Sequence, residues 1–286
     1  MKILLTGASG FIGKHIASAL LSAGHEVTPA TRARGFDFNR MRDEGDWLAH
    51  LHGIEAVINC VGIIAEGHTQ TFAHLHAQAP AALFKACARA GVNRVIQISA
   101  LGADESAFTP YQQSKKTADD VLRGLPLDWF VLRPSLVYGP GGKSMALFQH
   151  LASLPAIPLV ARGLQWIQPV YISDLVAAVL QCLSVSPAQR TIDVVGPNPV
   201  TFRNWLEQLR QASGRGAAPT LSIPFGLVML IAHVAKYFAP MLHPDSLRML
   251  QHGNTAEVQA FAQLLGRMPL SFEECAVEEL RCSTLV

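Results

Sequence analysis

Tyr111 and Lys115 stand four residues apart in Tyr111-Gln112-Gln113-Ser114-Lys115, a spacing that puts both on one face of a helix. A phenol is a poor acid near neutral pH. An ammonium one turn away, helped by the positive end of the helix, favours the phenolate and makes Tyr111 a proton donor or acceptor opposite a hydride acceptor. The helix start is written just ahead of the pair: Thr109 reads as the N-cap, Pro110 as the first helical residue, and Gln112 as the residue closing a capping box. A second constellation is Thr6-Gly7-Ala8-Ser9-Gly10-Phe11-Ile12-Gly13, which follows an apolar run and opens an amphipathic stretch. Glycines are needed in such a turn because it is tight, because a side chain would block backbone approach to a pyrophosphate, and because the following helix packs close to its sheet. Gly7, Ser9, Gly10, Phe11, Ile12 and Gly13 are therefore expected to cradle a dinucleotide, with the helix N-terminus offering free N–H groups to its phosphates.

The next apolar run ends Ala30-Thr31-Arg32-Ala33-Arg34. An NAD binder carries Asp or Glu about 20 residues past the glycine loop to accept from the ribose 2′-hydroxyl. Here two arginines take that place, which favours the 2′-phosphate of NADP, with a solvated basic turn as the plain alternative. Asp37 reads either as an acceptor for the adenine amino group or as an ordinary turn carboxylate.

The elements that would position these residues alternate. Lys2 to Thr6, Glu26 to Thr31, Ala56 to Val61, Arg94 to Ser99 and Trp129 to Arg133 read as strands, with helical spacing or room for a helix between the first four pairs. Repeated strand–helix–strand units imply a parallel sheet covered on both faces, an α/β fold of Rossmann type. Ile12, Ile16, Ala19, Leu20 and Ala23 fall on one side of the first helix, which Gly24 stops, and Ala81 to Ala90 reads as a helix ended by Gly91. Beyond Pro134 proline and glycine become dense; Val170 to Leu180 reads as one more strand-to-helix unit and Thr191 to Val195 as a strand. From Thr201 the pattern is helical and loop-like. The expected division is a nucleotide-binding domain over residues 1–196, with 139–169 contributing to a substrate lobe, and a small, mostly helical lobe over 197–286 covering the open end.

Composition excludes several classes. Hydrophobic residues make up 50% and charged residues 15% of the 286, which rules out an intrinsically disordered chain. Lys plus Arg less Asp plus Glu is 23 − 21 = +2, with no long run of one sign, so the electrostatic footprint of a nucleic-acid binder is missing. Five scattered cysteines without a CxxC suggest neither a disulfide framework nor a zinc cluster and imply a cytosolic setting. Met1 to Leu5 pass into the glycine turn too soon for a signal peptide. Ile223 to Leu242 is apolar, but His233, Lys236, Pro224 and Pro240 interrupt it before the roughly 20 residues that spanning requires. It is expected to pack as a lobe helix, or to form the wall of an apolar substrate site or a membrane-surface contact. His68, His74 and His76 do not make a metal site, since the last two point in different directions on a helix and no carboxylate completes a set. Trp47, Trp129, Trp166 and Trp205 read as packing residues.

These stretches resemble the short-chain dehydrogenase/reductase superfamily, in its extended or atypical branch of NAD(P)-dependent epimerase/dehydratase-like proteins. The matching segments are Thr6 to Gly13, Asn59-Cys60-Val61-Gly62, Ile98-Ser99-Ala100-Leu101-Gly102-Ala103, Tyr111 to Lys115, Arg133 to Gly141 and Pro169 to Asp174. The segments at Ile98 and Tyr111 are similar to the subgroup containing the nucleotide-binding accessory subunit of respiratory complex I. The resemblance implies cofactor contacts from Gly7, Gly10, Gly13, Arg32 and the backbone near Val61 and Gly62. It also implies acid/base work by Tyr111, a nicotinamide-ribose contact from Lys115, and a place near the nicotinamide ring for Pro134. Asp174 reads as a helix-start carboxylate with a structural role.

One departure concerns the Ser or Thr that family enzymes use to hold the substrate oxygen. Ser99 is the candidate, but it sits early, followed by Ala100 and Leu101 and with only eleven residues between it and Tyr111. The expected activity is an NADP(H)-preferring oxidoreductase acting on a carbonyl or alcohol of low polarity, with Tyr111, Lys115 and Ser99 as catalytic residues and NAD as the other cofactor. The alternatives are a non-catalytic NAD(P)-binding assembly or redox-sensing subunit, and an NAD-retaining sugar-nucleotide epimerase. The partner is then a small molecule, and an oligomer is compatible with the family.

Overall fold

The structure, a computed structural model, describes residues 1–67, 69–235 and 243–275. Along the chain it forms β1 (Lys2–Thr6), α1 (Phe11–Ser22), β2 (Glu26–Ala30), α2 (Glu44–Leu48), β3 (Ala56–Asn59), α3 (Ala79–Ala90), β4 (Arg94–Ile98), α4 (Pro110–Arg123) and β5 (Asp128–Pro134). Then follow β6 (Val137–Tyr138), α5 (Lys143–Ser153), β7 (Ile157–Val160), β8 (Trp166–Ile167), β9 (Val170–Tyr171), α6 (Ile172–Cys182) and β10 (Arg190–Val194). The remainder holds β11 (Val200–Thr201), α7 (Phe202–Ala212), β12 (Thr220–Ile223), α8 (Phe225–Ala235), α9 (Pro244–His252) and α10 (Gln259–Leu265).

Two compact units emerge. The first comprises Met1–Pro134, Ile172–Val194 and Gln259–Gly266. Its sheet has six strands, all parallel, in the order β10-β5-β4-β3-β1-β2, the Rossmann-type architecture that the alternating apolar runs imply. Strands buried on both faces read as unbroken apolar runs, and Ala56 to Asn59 are all buried. On α1 the inward stripe is Gly13, Ile16 and Leu20; Ala23, expected to share it, is exposed at the C-cap, and Gly24 takes the left-handed conformation (φ +79°) that ends the helix. Before α3 the chain winds as a π-helix over Ala73–Gln78, a feature that no periodicity in the sequence announces. Asp174 is fully buried in the first turn of α6 rather than at its cap, because the helix begins two residues earlier, at Ile172.

The second unit comprises Ser135–Tyr171, Val195–Val258 and Arg267–Val286. Three two-stranded pairs knit it: β6 with β9 and β7 with β12, both parallel, and β8 with β11, antiparallel. β12 corrects the expectation of helices and loops alone beyond Thr201: Thr220 to Ile223 pair with Ile157 to Val160, some sixty residues back. Tyr138, Tyr171, Trp205 and Phe272 form its aromatic core, with ring centroids 4.8–6.1 Å from Tyr138. Trp47, Trp129 and Trp205 are buried as expected, whereas Trp166 is 56% exposed on its two-residue strand. Within the apolar segment that begins at Ile223, α8 leaves Leu227, Leu230 and Ile231 largely exposed, and residues 236–242 lie outside the described residues. No described helix is long and apolar enough to cross a membrane.

Candidate active site

The glycine loop leaves β1 at Thr6 and enters α1 at Phe11. Gly7 adopts φ +68°, and a Cβ there would lie 2.7 Å from the carbonyl carbon of Cys60. At Gly13 an added Cβ would come within 2.2 Å of the Gly7 carbonyl oxygen. The loop and the first turn of α1 are thus pressed together, and the only residues that fit are those without side chains. Gly10 is the N-cap of α1, which has no side-chain cap and no acidic residue in its first turn, so its free N–H groups and dipole face outward beside the exposed Ser9. A bare backbone cradle at a helix N-terminus suits a pyrophosphate, and the residues present fit a dinucleotide.

On α4 the Thr109 hydroxyl oxygen accepts from the Gln112 backbone N–H at 3.3 Å. The reciprocal half of the capping box is absent: the Gln112 carboxamide oxygen accepts from the Thr109 hydroxyl, and its amide reaches the Leu101 carbonyl at 3.5 Å. Lys115 is buried and donates to the carbonyl oxygens of Val61 (3.0 Å) and Ile98 (3.1 Å), just past and at the C-terminal ends of β3 and β4. In open parallel sheets that edge is where ligands bind. Burial pulls the Lys115 ammonium down to about 8, against the opposing pull of Asp119.

Tyr111 differs from the expectation. Burial, with the Asp119 carboxylate adding to it, pushes its phenol up to about 12. The reason is geometric: the Lys115 ammonium gives two of its protons to main-chain carbonyls, and an anion lies within electrostatic range of the phenol.

Ser99 is also placed differently. It is buried, and its hydroxyl donates its proton to the Asp119 carboxylate. Asp119 belongs to no motif of its own, although Tyr111, Lys115 and Asp119 recur every four residues along one helical stripe. Its carboxyl is pushed up to about 6 by burial, opposed by the Ser99 hydroxyl and the Lys115 charge. Further polar side chains continue across the sheet: Asn59 donates to Gln97 at 2.7 Å, and Thr6 donates to Asn59.

His76, set aside as a metal ligand, faces Tyr111 instead. The ring is buried; its Nε2 accepts from the Ile63 N–H at 2.9 Å and its Nδ1 lies 3.0 Å from the Ser114 hydroxyl. Ser114 in turn donates to the Tyr111 carbonyl at 2.8 Å. Burial, reinforced by the Lys115 cation, holds His76 down to about 2, so it is neutral. His74 is half-buried, and His68 lies outside the described residues.

Arg32 and Arg34 form an exposed 3-10 turn directly after β2, and neither guanidinium has an ion-pair partner among the described residues. One oxygen of Asp37 accepts from the Asn39 N–H at 3.1 Å and the other lies 3.6 Å from Arg40. Val61 donates its N–H to Asn59, Gly62 is exposed beside Lys115, and Pro134 is buried with its carbonyl accepting from Leu101.

A profile of the NAD dependent epimerase/dehydratase family matches residues 3–194. The chain belongs to that family. As a member of the NAD dependent epimerase/dehydratase family it carries the NAD(P)-binding Rossmann architecture of a group of oxidoreductases. It is 26% identical over 211 residues to the mouse mitochondrial NADH dehydrogenase [ubiquinone] 1 alpha subcomplex subunit 9, covering 67% of this chain and 56% of the mouse protein. It thus spans a little over half the length of the rodent relatives it matches. A ceramide reductase of Caulobacter vibrioides is 27% identical over 234 residues, covering 77% of this chain and 72% of that protein. Among solved structures, MoeE5 in complex with UDP-glucuronic acid and NAD superposes with a TM-score of 0.72 at 21% identity, covering 99% of this chain and all of that one. UDP-glucose 4-epimerase of Thermotoga maritima gives 0.72 at 18% identity over 99% and 100% of the two chains, a likeness of fold.

Proposed function

We propose that the protein is an NADP(H)-preferring reductase of a carbonyl group, with Tyr111 as proton donor and Lys115 as the group that fixes the cofactor wall. The observation that carries this reading is the pair on α4, whose lysine is tied to the main chain at the C-terminal edge of β3 and β4. A bound nicotinamide dinucleotide supplies the hydride. Gly7, Gly10 and Gly13, with Ser9, Phe11 and Ile12 between them, give its pyrophosphate a backbone cradle, Val61, Gly62 and Pro134 line the wall, and Lys115 orients the nicotinamide ribose. A phenol held near 12 is protonated at neutral pH, the state from which Tyr111 delivers a proton to a carbonyl oxygen as that carbon is reduced. Arg32, exposed just after β2 and without an ion pair among the described residues, favours a 2′-phosphate.

A substrate of low polarity is favoured by the relative named a ceramide reductase and by the exposed apolar face of α8. A second reading, a cofactor-binding subunit without turnover, is favoured by the bond of Ser99 to Asp119, which leaves the substrate oxygen without its usual hydroxyl, and by the relative named as a subunit of NADH dehydrogenase. A third reading, an NAD-retaining sugar-nucleotide epimerase, is supported by the family profile and by the likeness of fold to solved epimerases.

Titration of cofactor-free protein with NADPH and NADH, followed by nicotinamide fluorescence, tests the reading on wild type, Arg32→Ala and Tyr111→Phe. NADPH should bind more tightly, and Arg32→Ala should erase the preference, about tenfold or more for one charge-assisted contact. Tyr111→Phe should retain affinity and lose reduction of carbonyl substrates. Equal affinity for both cofactors in wild type refutes the NADP preference, and full activity in Tyr111→Phe refutes the proton donor.

A further inference from the structure

We propose that His76 is a positioning residue, a neutral imidazole that locks the Ile63 end of the cofactor wall to the first turn of α4 and so fixes where Tyr111 stands. This deepens the reading above and rests on its assignment of Val61, Gly62 and Tyr111, Ile63 being the next residue of the same stretch.

The hydrogen bonds determine the tautomer. Ile63 donates its N–H to Nε2, so Nε2 carries no proton and Nδ1 does. Nδ1–H donates to the Ser114 oxygen at 3.0 Å, and the Ser114 hydroxyl donates onward to the Tyr111 carbonyl at 2.8 Å. Every group in this chain has a defined direction, and it runs from the loop after β3 into the catalytic helix. The ring faces are occupied too. Phe72 stacks on His76 at 5.1 Å between centroids and 22° between planes, and Tyr111 meets His76 edge-on at 5.4 Å and 85°.

The approach is close. A Cβ at Gly62 would stand 3.2 Å from Lys115 Nζ and 3.6 Å from His76 Nε2, so both side chains press against this stretch of main chain. Lys115 holds it through the Val61 carbonyl and His76 through the Ile63 N–H, two residues apart and of opposite polarity. The π-helix over Ala73–Gln78 carries His76, with Phe72 as its N-cap, before the chain returns to α-helix in α3. Such turns commonly mark functional sites.

Two substitutions separate the two arms of the ring. His76→Gln can keep an acceptor for Ile63 but not the donor to Ser114; His76→Asn keeps a group near Nδ1 but cannot reach Ile63. Ser114→Ala cuts the second arm by a milder route and carries the test should a His76 variant fail to fold. Two readouts are needed: NADPH and NADH affinity by fluorescence titration, and the NMR resonance of Tyr111 in protein labelled at tyrosine Cζ. The chain has four tyrosines, so loss of one signal in Tyr111→Phe assigns it.

His76→Asn should weaken NADPH binding by about fivefold to tenfold, the range for one hydrogen bond, while His76→Gln changes it by less than about twofold. His76→Gln and Ser114→Ala should each displace the Tyr111 resonance. Equal loss of affinity in both His76 variants would mean that the ring merely fills space, and unchanged affinity with an unmoved Tyr111 signal would mean that it positions nothing; either overturns the proposal. Wild-type protein that binds neither nucleotide would overturn both the reductase reading and the cofactor arm. A displaced Tyr111 signal in a protein without turnover would uphold the joint and refute only the reductase.

Discussion

Asp119 couples three side chains of the site. It accepts from Ser99, raises the Tyr111 phenol, and opposes the fall of the Lys115 ammonium. Its own folded value, about 6, exceeds the ordinary 3.8, so the folded protein holds that proton more tightly than the unfolded chain. The stability this contributes is present below about pH 4 and is lost as pH rises through 6; Asp119→Asn should flatten that slope in denaturation curves taken from pH 4 to 7. Lys115 runs the other way. Its folded value is depressed to about 8, so a penalty present below 8 disappears as pH rises toward 10.5. Removing the Asp119 charge lowers Lys115 further, and the basic limb of NADPH affinity should move to lower pH in Asp119→Asn, whereas an unmoved limb would show that Lys115 does not control binding. At this scale the sequence exposed residue types and spacings but not side-chain directions. Tyr111 and Lys115 were legible because four residues make a helical turn; the commitment of Ser99 to Asp119 was not, because it depends on where β4 delivers a hydroxyl relative to a helix twenty residues later.

Elements were legible where burial and period agree. The five apolar runs of the first half form strands within a residue or two of their expected ends, since a parallel strand covered on both faces is made mostly of apolar residues. β12 was illegible because it is four residues long, alternates weakly, and depends on a partner sixty residues away. The π-helix was illegible because it differs from an α-helix by a widened turn rather than by a pattern of residue types. α8 shows the opposite failure, a strongly apolar run that does not bury all of its faces: Leu230 is 67% exposed and Ile231 52%. Apolarity alone told of a helix but not of what it packs against. Because Leu230 has little burial to lose, Leu230→Glu should shift the unfolding free energy by no more than about 0.5 kcal/mol in a urea melt. A loss of several kcal/mol would show that the face is covered in the working protein.

For the molecule as a whole, the first unit is assembled from three separate stretches of chain. Its sheet edge is closed by β10, and α10 packs on both β10 and α6 after the chain has built most of the second unit. Phe261, on α10, is fully buried. Phe261→Ala should therefore destabilise the protein by about 3–5 kcal/mol, as for a large core side chain, measured by chemical denaturation. A cost below about 1 kcal/mol would mean that the returning helix is dispensable. The order of elements has a consequence during synthesis. A ribosome that has read as far as Val258 has not yet made the helix that packs on α6 and β10. The nucleotide-binding unit therefore waits until most of the second unit has been made before this face is shielded, and a nascent chain stalled short of Gln259 offers chaperones and proteases an unfinished apolar surface.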